Sequence, residues 1–307
     1  MSAYNLTVKK EFVGKRVDVF LAEALPEYTR ARFQKLIKQG NVLVNGKVAK
    51  SAHAVKENEK VQVEVPPPIK HDALAEKIPL NVLYEDKDII VINKSADMVV
   101  HPAAGNWTGT LVNALLAHCQ DLSGVGGELK PGIVHRLDKG TSGVIVAAKN
   151  DLAHLDLSQQ FKDRTVKKIY LAVVIGSPKD DSGKIETAIG RSVKDRKKYS
   201  SKTRKGRVAS TEWKIYKRLS QDLTVLEVKL NTGRTHQIRV HLAEIGLPLV
   251  GDQVYGGRKA RKIKFGRPAL HAWRLGFKHP TKKQWLEFEA PLPDDIKCLL
   301  FEQSREQ

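Results

Sequence analysis

One stretch, Gly132 to Val144, reads GIVHRLDKGTSGV and holds a lone carboxylate, Asp138. Around it stand Arg136, Lys139, Thr141, Ser142 and Gly143, all basic, hydroxyl-bearing or small. Opposite charge and hydrogen bonds both favour the ionised form of an acid. Such a setting suits an Asp that acts as a nucleophile. A loop Asp that only caps nearby amides fits the same spacing. Ile133 and Val134 precede the acid, and Val144, Ile145, Val146, Ala147 and Ala148 follow it. The second run is continuous and rich in β-branched residues, as in a buried strand. The elements that must position Asp138 are therefore a loop and the buried strand it enters.

At 307 residues the chain is long enough for a sizeable core and for two domains. Lys+Arg 53 against Asp+Glu 34 gives a net charge of +19. That excess points to a polyanion, nucleic acid before acidic membrane, against the plainer reading of a well-solvated basic surface. No apolar run reaches the ~18 residues of a membrane span. The opening MSAYNLTVKKEFVGKR has no signal-peptide core. A cytoplasmic location is expected from these absences. Cys119 and Cys298 make no disulfide framework and suggest a reducing compartment. None of the ten histidines has a metal-binding spacing; His101, His135, His236, His241 and His271 read as hydrogen-bonding or RNA-facing groups. No metal site is expected from these spacings.

Residues 1–65 read as a separate basic module. Val17, Phe20, Leu21 and Leu25 recur at helical spacing, and Thr29 and Gly40 suit the cap and stop of a second helix over 30–39. Phe33, Leu36 and Ile37 form its apolar stripe; Lys35 and Lys38 project from the opposite face, with Arg30 and Arg32 on its flanks. Asn45-Gly46 between β-rich runs predicts a hairpin, and Val61, Val63 and Val65 a closing strand. Pro66-Pro67-Pro68 opens a polar linker over 66–78.

From 79 to 307 the patterning predicts an α+β domain on a largely antiparallel mixed sheet. Strands are expected at Ile89–Ile92, Ile145–Ala148, Ile169–Ile175, Trp213–Ile215 and Leu226–Leu230, with a late pair joined by His279-Pro280. Helices are expected over Thr110–His118, from a cap at Asp151 with Leu152, Leu155 and Phe161 on it, after Thr235 with Ile238, Leu242 and Ile245 on one face, and around Leu299 and Leu300. Between Arg191 and Arg207 lie nine basic residues and one acid, Asp195, with Tyr199, Ser200 and Ser201 interleaved. Arg196, Lys197 and Lys198 are its candidates for gripping RNA phosphates; a solvated charge run is the alternative.

Several signatures can be set aside. HRLD lacks the glycine-rich loop and DFG of a kinase. Gly183-Lys184 has no P-loop frame, and there is no GxSxG elbow. A glycosidase needs two carboxylates across the scissile bond, where this stretch supplies one, although Asp252 could approach in space.

Residues 131–143, PGIVHRLDKGTSG, resemble the HRLDxxTSG signature of the RluA-type pseudouridine synthases. Asn93-Lys94 through His101-Pro102, Gly109 to Leu115, Lys168-Ile169-Tyr170-Leu171-Ala172 and Leu230 to His241 match further family motifs in order. The first module resembles an S4 RNA-binding domain, and the layout is similar to the family's large-subunit rRNA synthase D group. One departure is Lys94-Ser95-Ala96-Asp97 where the family reads Lys-Pro-Ala-Gly, losing a rigid Pro and a permissive Gly.

The resemblance implies cofactor-free isomerisation of uridine to pseudouridine. The N1–C1′ bond breaks, uracil turns, and C5 rejoins C1′. Asp138 is the implied nucleophile, at C1′ or through a glycal route. Arg234 is the implied basic partner of Asp138, with a phosphate clamp as its alternative. Tyr170 is implied to stack on uracil and transfer a proton, or to be core only. Arg136 is implied to fill the place of the flipped base. Ile238, His135 and Thr141 complete the substrate-binding set, while His236 and Arg239 read as scaffold. The expected partner is large-subunit ribosomal RNA, bound by a monomer. The rivals are a tRNA synthase of the same family and a non-catalytic RNA-binding or ribosome-assembly factor.

Overall fold

In a computed structural model of the chain, the structure describes residues 2–26, 30–50, 52–65, 73–103, 105–119, 122, 131–193, 195, 198–203, 205–220, 222–260 and 263–302. The chain forms two compact units, Met1–Lys70 and His71–Gln307.

The small unit runs β1 (Ser2–Thr7), α1 (Val17–Ala24), α2 (Arg30–Lys38), β2 (Val42–Val44), β3 (Lys47–Val48) and β4 (Lys60–Val65). Its antiparallel sheet has the order β1-β4-β2-β3. Val17, Phe20 and Leu21 of α1 and Phe33, Leu36 and Ile37 of α2 share one core with Val61 and Val63. In β4 the valines are buried and Lys60, Gln62 and Glu64 exposed, as a half-buried strand requires. Asn45 and Gly46 take φ of 48° and 76°, the positive pair that lets a two-residue turn follow the strand twist. The expected cap Thr29 and the side chains of Arg32 and Lys35 lie outside the described residues.

The large unit runs β5 (Val82–Glu85), β6 (Ile89–Lys94), α3 (Leu111–His118), β7 (Ser142–Ala148), α4 (Asp151–Asp163), β8 (Lys167–Ile175), β9 (Ser182–Arg191), β10 (Tyr199–Ser200), β11 (Arg207–Ser220), β12 (Leu223–Leu230), α5 (Gln237–Glu244), α6 (Gly257–Ala260), β13 (Leu270–Lys278), β14 (Trp285–Glu289) and α7 (Asp294–Glu302). The sheet order is β10-β9-β11-β12-β8-β13-β7-β6-β5, with β14 on β13. Among the described residues its strand pairs are antiparallel except β7 with β13. It is a mixed, mostly antiparallel α+β sheet, as the patterning predicts.

Strand alternation sorts β8 between two cores. Tyr170, Ala172 and Val174 pack with Leu111 and Leu115 of α3 and Ile238 and Leu242 of α5. Ile169, Leu171 and Val173 pack with Ile296 and Leu299 of α7. The period of two thus places Tyr170 on the α5 side. Each fully buried aliphatic side chain here contributes roughly 1.5–3 kcal/mol.

Two expectations need correction. Asn150, not Asp151, caps α4, accepting from the Ala153 amide at 2.9 Å. Leu152 and Leu155 face outward at 74% and 60% exposure, whereas Ala153 and Leu157 pack on Val144 and Val146 of β7. Positions 153 and 157 share a helical stripe, and the small Ala lets the helix sit close to the strand. Residues 73–78, expected in the linker, are tied to the large unit: the Asn113 side chain donates to Leu74 O at 2.7 Å, and the Glu76 amide donates to Asn113 O at 2.9 Å. The Pro66–Pro68 triplet lies outside the described residues.

Candidate active site

The loop that carries Asp138 is fastened at each side of the acid. Before it, the Gly132 carbonyl accepts from Ala148 N at 2.9 Å and Ile133 bridges Ala147, so the chain runs back along β7. After it, Thr141 N donates to Asp138 O at 3.0 Å, Gly140 N donates to Ala96 O at 3.0 Å, and Arg267 donates to Gly140 O at 2.9 Å. Gly143, at φ +115°, lies against the Ala272 backbone where β7 meets β13, so a Cβ would collide there. Ser142 bonds His271 at 2.9 Å, and burial drives the His271 imidazole down to about 4. The Lys94–Asp97 turn, which lacks the family's Pro and Gly, is held by Lys94 itself. Its buried ammonium donates to Ser95 O at 2.7 Å and Met98 O at 2.8 Å. Burial and the nearby Arg267, opposed by Asp138, bring this lysine to about 8.

The loop ahead of β7, the end of α4, β8 and the start of α5 line a cavity of about 470 Å³. Asp138, Tyr170, Arg234, Arg136, Ile238, His135 and Thr141 all line it, so the structure brings together every residue expected in the catalytic and substrate-binding sets. The expected contact between Arg234 and Asp138 is not formed: Arg234 Nε donates to Val208 O at 3.2 Å, and the Asp138 carboxylate makes no hydrogen bond or ion pair among the described residues. Arg234 follows a turn whose geometry is fixed by Gln237, which accepts from Arg234 N and from Thr232 Oγ1.

The cation that responds to Asp138 in this wall is Arg239. It grips the buried Asp252 through two bonds of 2.7 and 2.9 Å. Burial opposes its charge, but Asp252 and then Asp138 outweigh it and raise the guanidinium above its ordinary range. A second carboxylate thus does approach the site, already engaged by Arg239 and the amides of Val254 and Tyr255. Burial and the Asp138 carboxylate both push the Tyr170 phenol up, so it is protonated at neutral pH. His135 accepts from the Val146 amide at 3.0 Å and stacks on Phe161 at 4.4 Å. Burial and Lys168 bring it down to about 3, which makes it a neutral strut of the cavity wall. Arg136 is exposed beside the acid, and Ile238 and Thr141 are buried.

Residues 88–244, half of the chain, match the family model described as RNA pseudouridylate synthase, and residues 15–61 match the S4 domain. The chain belongs to the RNA pseudouridylate synthase family. The uncharacterized RNA pseudouridine synthase YlyB of Bacillus subtilis (strain 168) is 47% identical to it over 300 residues, covering 98% of each chain. The ribosomal large subunit pseudouridine synthase D of Neisseria meningitidis serogroup A is 46% identical over 306 residues, covering 96% of this chain and 80% of that one. Among solved structures, human RNA pseudouridylate synthase domain containing 1 superposes with a TM-score of 0.58 at 27% identity, over 76% of this chain and 90% of that one. The protein is an RNA pseudouridine synthase, an isomerase, with an S4 RNA-binding domain ahead of it.

The outer candidates of the synthase divide. Arg30 donates to the buried Asp18 at 2.8 Å, so its charge is engaged inside the small unit, whereas Lys38 is exposed. Arg196 and Lys197 and the side chain of Lys35 lie outside the described residues. Lys198 is half-buried; its amide donates to Asp195 O and its carbonyl accepts from Ser192 N. The basic run is fastened to the site: β10 pairs with the end of β9, and Tyr199 N donates to the Tyr255 hydroxyl, which also bonds His236. Sequence reasoning missed Arg164 as a lining residue. Lys168 also lines the cavity, and strand alternation two residues before Tyr170 is the signal that puts it on the same face. One cluster of metal-capable groups, Asp86, Asp88 and His279, is satisfied internally: Asp86 accepts from Lys282 and Tyr84, and Asp88 from Thr281 and Asn150. Among the described residues no helix is long and apolar enough to cross a membrane.

Proposed function

We propose that the synthase converts uridines of large-subunit ribosomal RNA to pseudouridine, with Asp138 as nucleophile and the target base turned out of its stack into the Asp138 cavity. One observation carries this reading. The carboxylate of Asp138, without a partner among the described residues, shares a cavity of about 470 Å³ with Tyr170, Ile238 and Arg234. That volume is in the range of small-ligand sites. The N1–C1′ bond breaks, uracil turns, and C5 bonds to C1′. A proton leaves C5 and N1 gains one, so no co-reactant is consumed. Protonated Tyr170 offers an aromatic face to the uracil and a hydroxyl for proton transfer. Ile238 packs on the base, and exposed Arg136 fills the vacated place. Extruding the base costs about a few kcal/mol, least where the RNA is already unpaired. The ribosomal target is supported by the likeness to the Neisseria protein, whose name gives the large ribosomal subunit, and by the S4 domain.

Purified synthase incubated with unmodified rRNA, ribosomal subunits and tRNA, followed by pseudouridine mapping, tests the assignment. Pseudouridine is expected in large-subunit rRNA. Modification of tRNA alone would refute the ribosomal target, and RNA binding without any pseudouridine would make the protein a binding factor.

A further inference from the structure

We propose that Lys168 and Arg164, with Arg234 as the third side, form a subsite of the same cavity that takes a phosphate of the RNA backbone. The choice of RNA as the source of that phosphate rests on the reading of the cavity as a uridine site. The geometry of the subsite stands apart from that reading.

The first support is a charge imbalance inside one cavity. Asp138 comes from the loop ahead of β7, while Lys162 and Arg164 come from the end of α4, Lys168 from β8 and Arg234 from the segment between β12 and α5. Among the described residues none of these four cations forms an ion pair. Some exposed cations elsewhere do find acids, as in Lys15–Glu23, Lys184–Glu186 and Lys283–Asp156. Like charges gathered round a half-buried ammonium repel one another, and an anion relieves that repulsion. Burial, Arg164 and Arg234 push Lys168 below the usual lysine range, and burial, Arg207 and Arg164 push Arg234 down as well.

The second support is placement. Lys168 and Tyr170 are two residues apart on β8, so they face the same side about 7 Å apart along the strand. Tyr170 is buried and Lys168 half-buried, so the strand leads from the floor of the cavity towards its rim. A nucleotide whose base lies on Tyr170 keeps its C1′ at Asp138 and can extend its phosphate along this line towards Lys168. Arg164 stands at the end of α4 in the left-handed region, φ 61°, where glycine or asparagine is the cheaper choice. A non-glycine residue held in that conformation at a ligand site is the kind of local strain associated with function. The planar fork of an arginine suits two phosphate oxygens, which a lysine meets as a point charge.

The test is binding of a single-stranded, uridine-containing oligoribonucleotide to the full-length protein across a series of KCl concentrations. Arg164→Asn keeps a residue that tolerates the left-handed conformation, and Lys168→Gln and Lys168→Arg separate charge from shape. Removing either charge should weaken binding roughly tenfold or more at low salt, since a hydrogen bond to a charged group is lost. It should also flatten the salt slope by about 0.7 for each phosphate contact. Lys168→Arg should restore both, and Lys297→Gln, which removes an exposed lysine from its pair with Asp294, should change neither. Uridine 5′-monophosphate should compete better than uridine against the oligonucleotide on wild type, and this advantage should vanish in Arg164→Asn. Wild-type affinity and slope in both Arg164→Asn and Lys168→Gln would overturn the subsite. So would a monophosphate that competes no better than the nucleoside. Because the readout is binding, it is decided even if the synthase proves to act on tRNA or if Asp138 proves not to be the nucleophile.

Discussion

In the small unit, Arg16 and Arg30 close on a buried carboxylate, Asp18, at 3.0 and 2.8 Å, with Gln34 at 2.7 Å. In the cavity of the large unit, Arg164, Lys168 and Arg234 converge on no acid, and Asp138 has no partner among the described residues. Burial alone would raise the Asp18 carboxyl, yet the bonds from Gln34, Arg30 and Arg16 hold it down at about 2. The net charge of +19 is therefore not one uniform RNA-facing surface. Part of it is internal scaffolding, and part is left uncompensated where a ligand can complete it. Arg239 and Asp252 repeat the first use directly beneath the second, so the cavity has both a satisfied foundation and an unsatisfied lining.

The largest expected effect comes from breaking the two internal pairs. Asp252→Ala leaves the Arg239 charge buried and unpaired and should cost the large unit about 3–5 kcal/mol. Asp18→Ala should cost the small unit less, about 2 kcal/mol, because Arg16 and Arg30 are half-exposed and can turn to water. Denaturant unfolding can follow the large unit by fluorescence, since all 4 tryptophans, at 107, 213, 273 and 285, lie in it. Amide exchange in α1 and α2 follows the small unit. A larger loss for Asp18→Ala than for Asp252→Ala would break the comparison.

Acid should separate the units more gently. His271 and His135 are held at about 4 and about 3 against an ordinary 6.5, so between those values the unfolded chain binds more protons than the folded one. Their contribution to the large unit is complete above pH 6.5 and is lost as pH falls towards 4. Asp18 in the small unit is held at about 2 against 3.8, so its contribution is lost only as pH falls below 3.8. Tryptophan-monitored melting should therefore fall between pH 6.5 and 4 while exchange protection in α1 and α2 persists. Loss of that protection before any drop in the tryptophan melt would contradict the assignment.

Much of this organisation is legible in the residues. The HRLDKGTSG loop, the Val144–Ala148 strand, the Asn45-Gly46 hairpin and the alternation that sets Tyr170 on the α5 side are local patterns, and local patterns survive folding. The parts that are not legible depend on distant partners. Nothing near Arg239 in the chain marks it as the clamp of Asp252, 13 residues on, or marks Arg234 as bonded to Val208 O rather than to Asp138. The outward Leu152 and Leu155 mislead because hydrophobicity alone names the face of α4, whereas close packing on β7 selects the smaller Ala153. Arg30 looks like any basic residue on an amphipathic helix until Asp18 is seen beside it. Lys94 looks like the remainder of a broken motif until its ammonium is found holding the turn that supports Gly140.

The central claim is that the unpaired carboxylate in the cavity performs the chemistry. Asp138→Asn preserves size and most hydrogen-bonding capacity and removes the charge. Pseudouridine formation in large-subunit rRNA should be compared for wild type and Asp138→Asn at equal RNA occupancy, with tryptophan melting confirming that the variant is folded. The variant should lose activity by about a thousandfold or more, as when a nucleophile is removed from an otherwise intact site, while still binding RNA. As much pseudouridine from Asp138→Asn as from wild type would contradict the account.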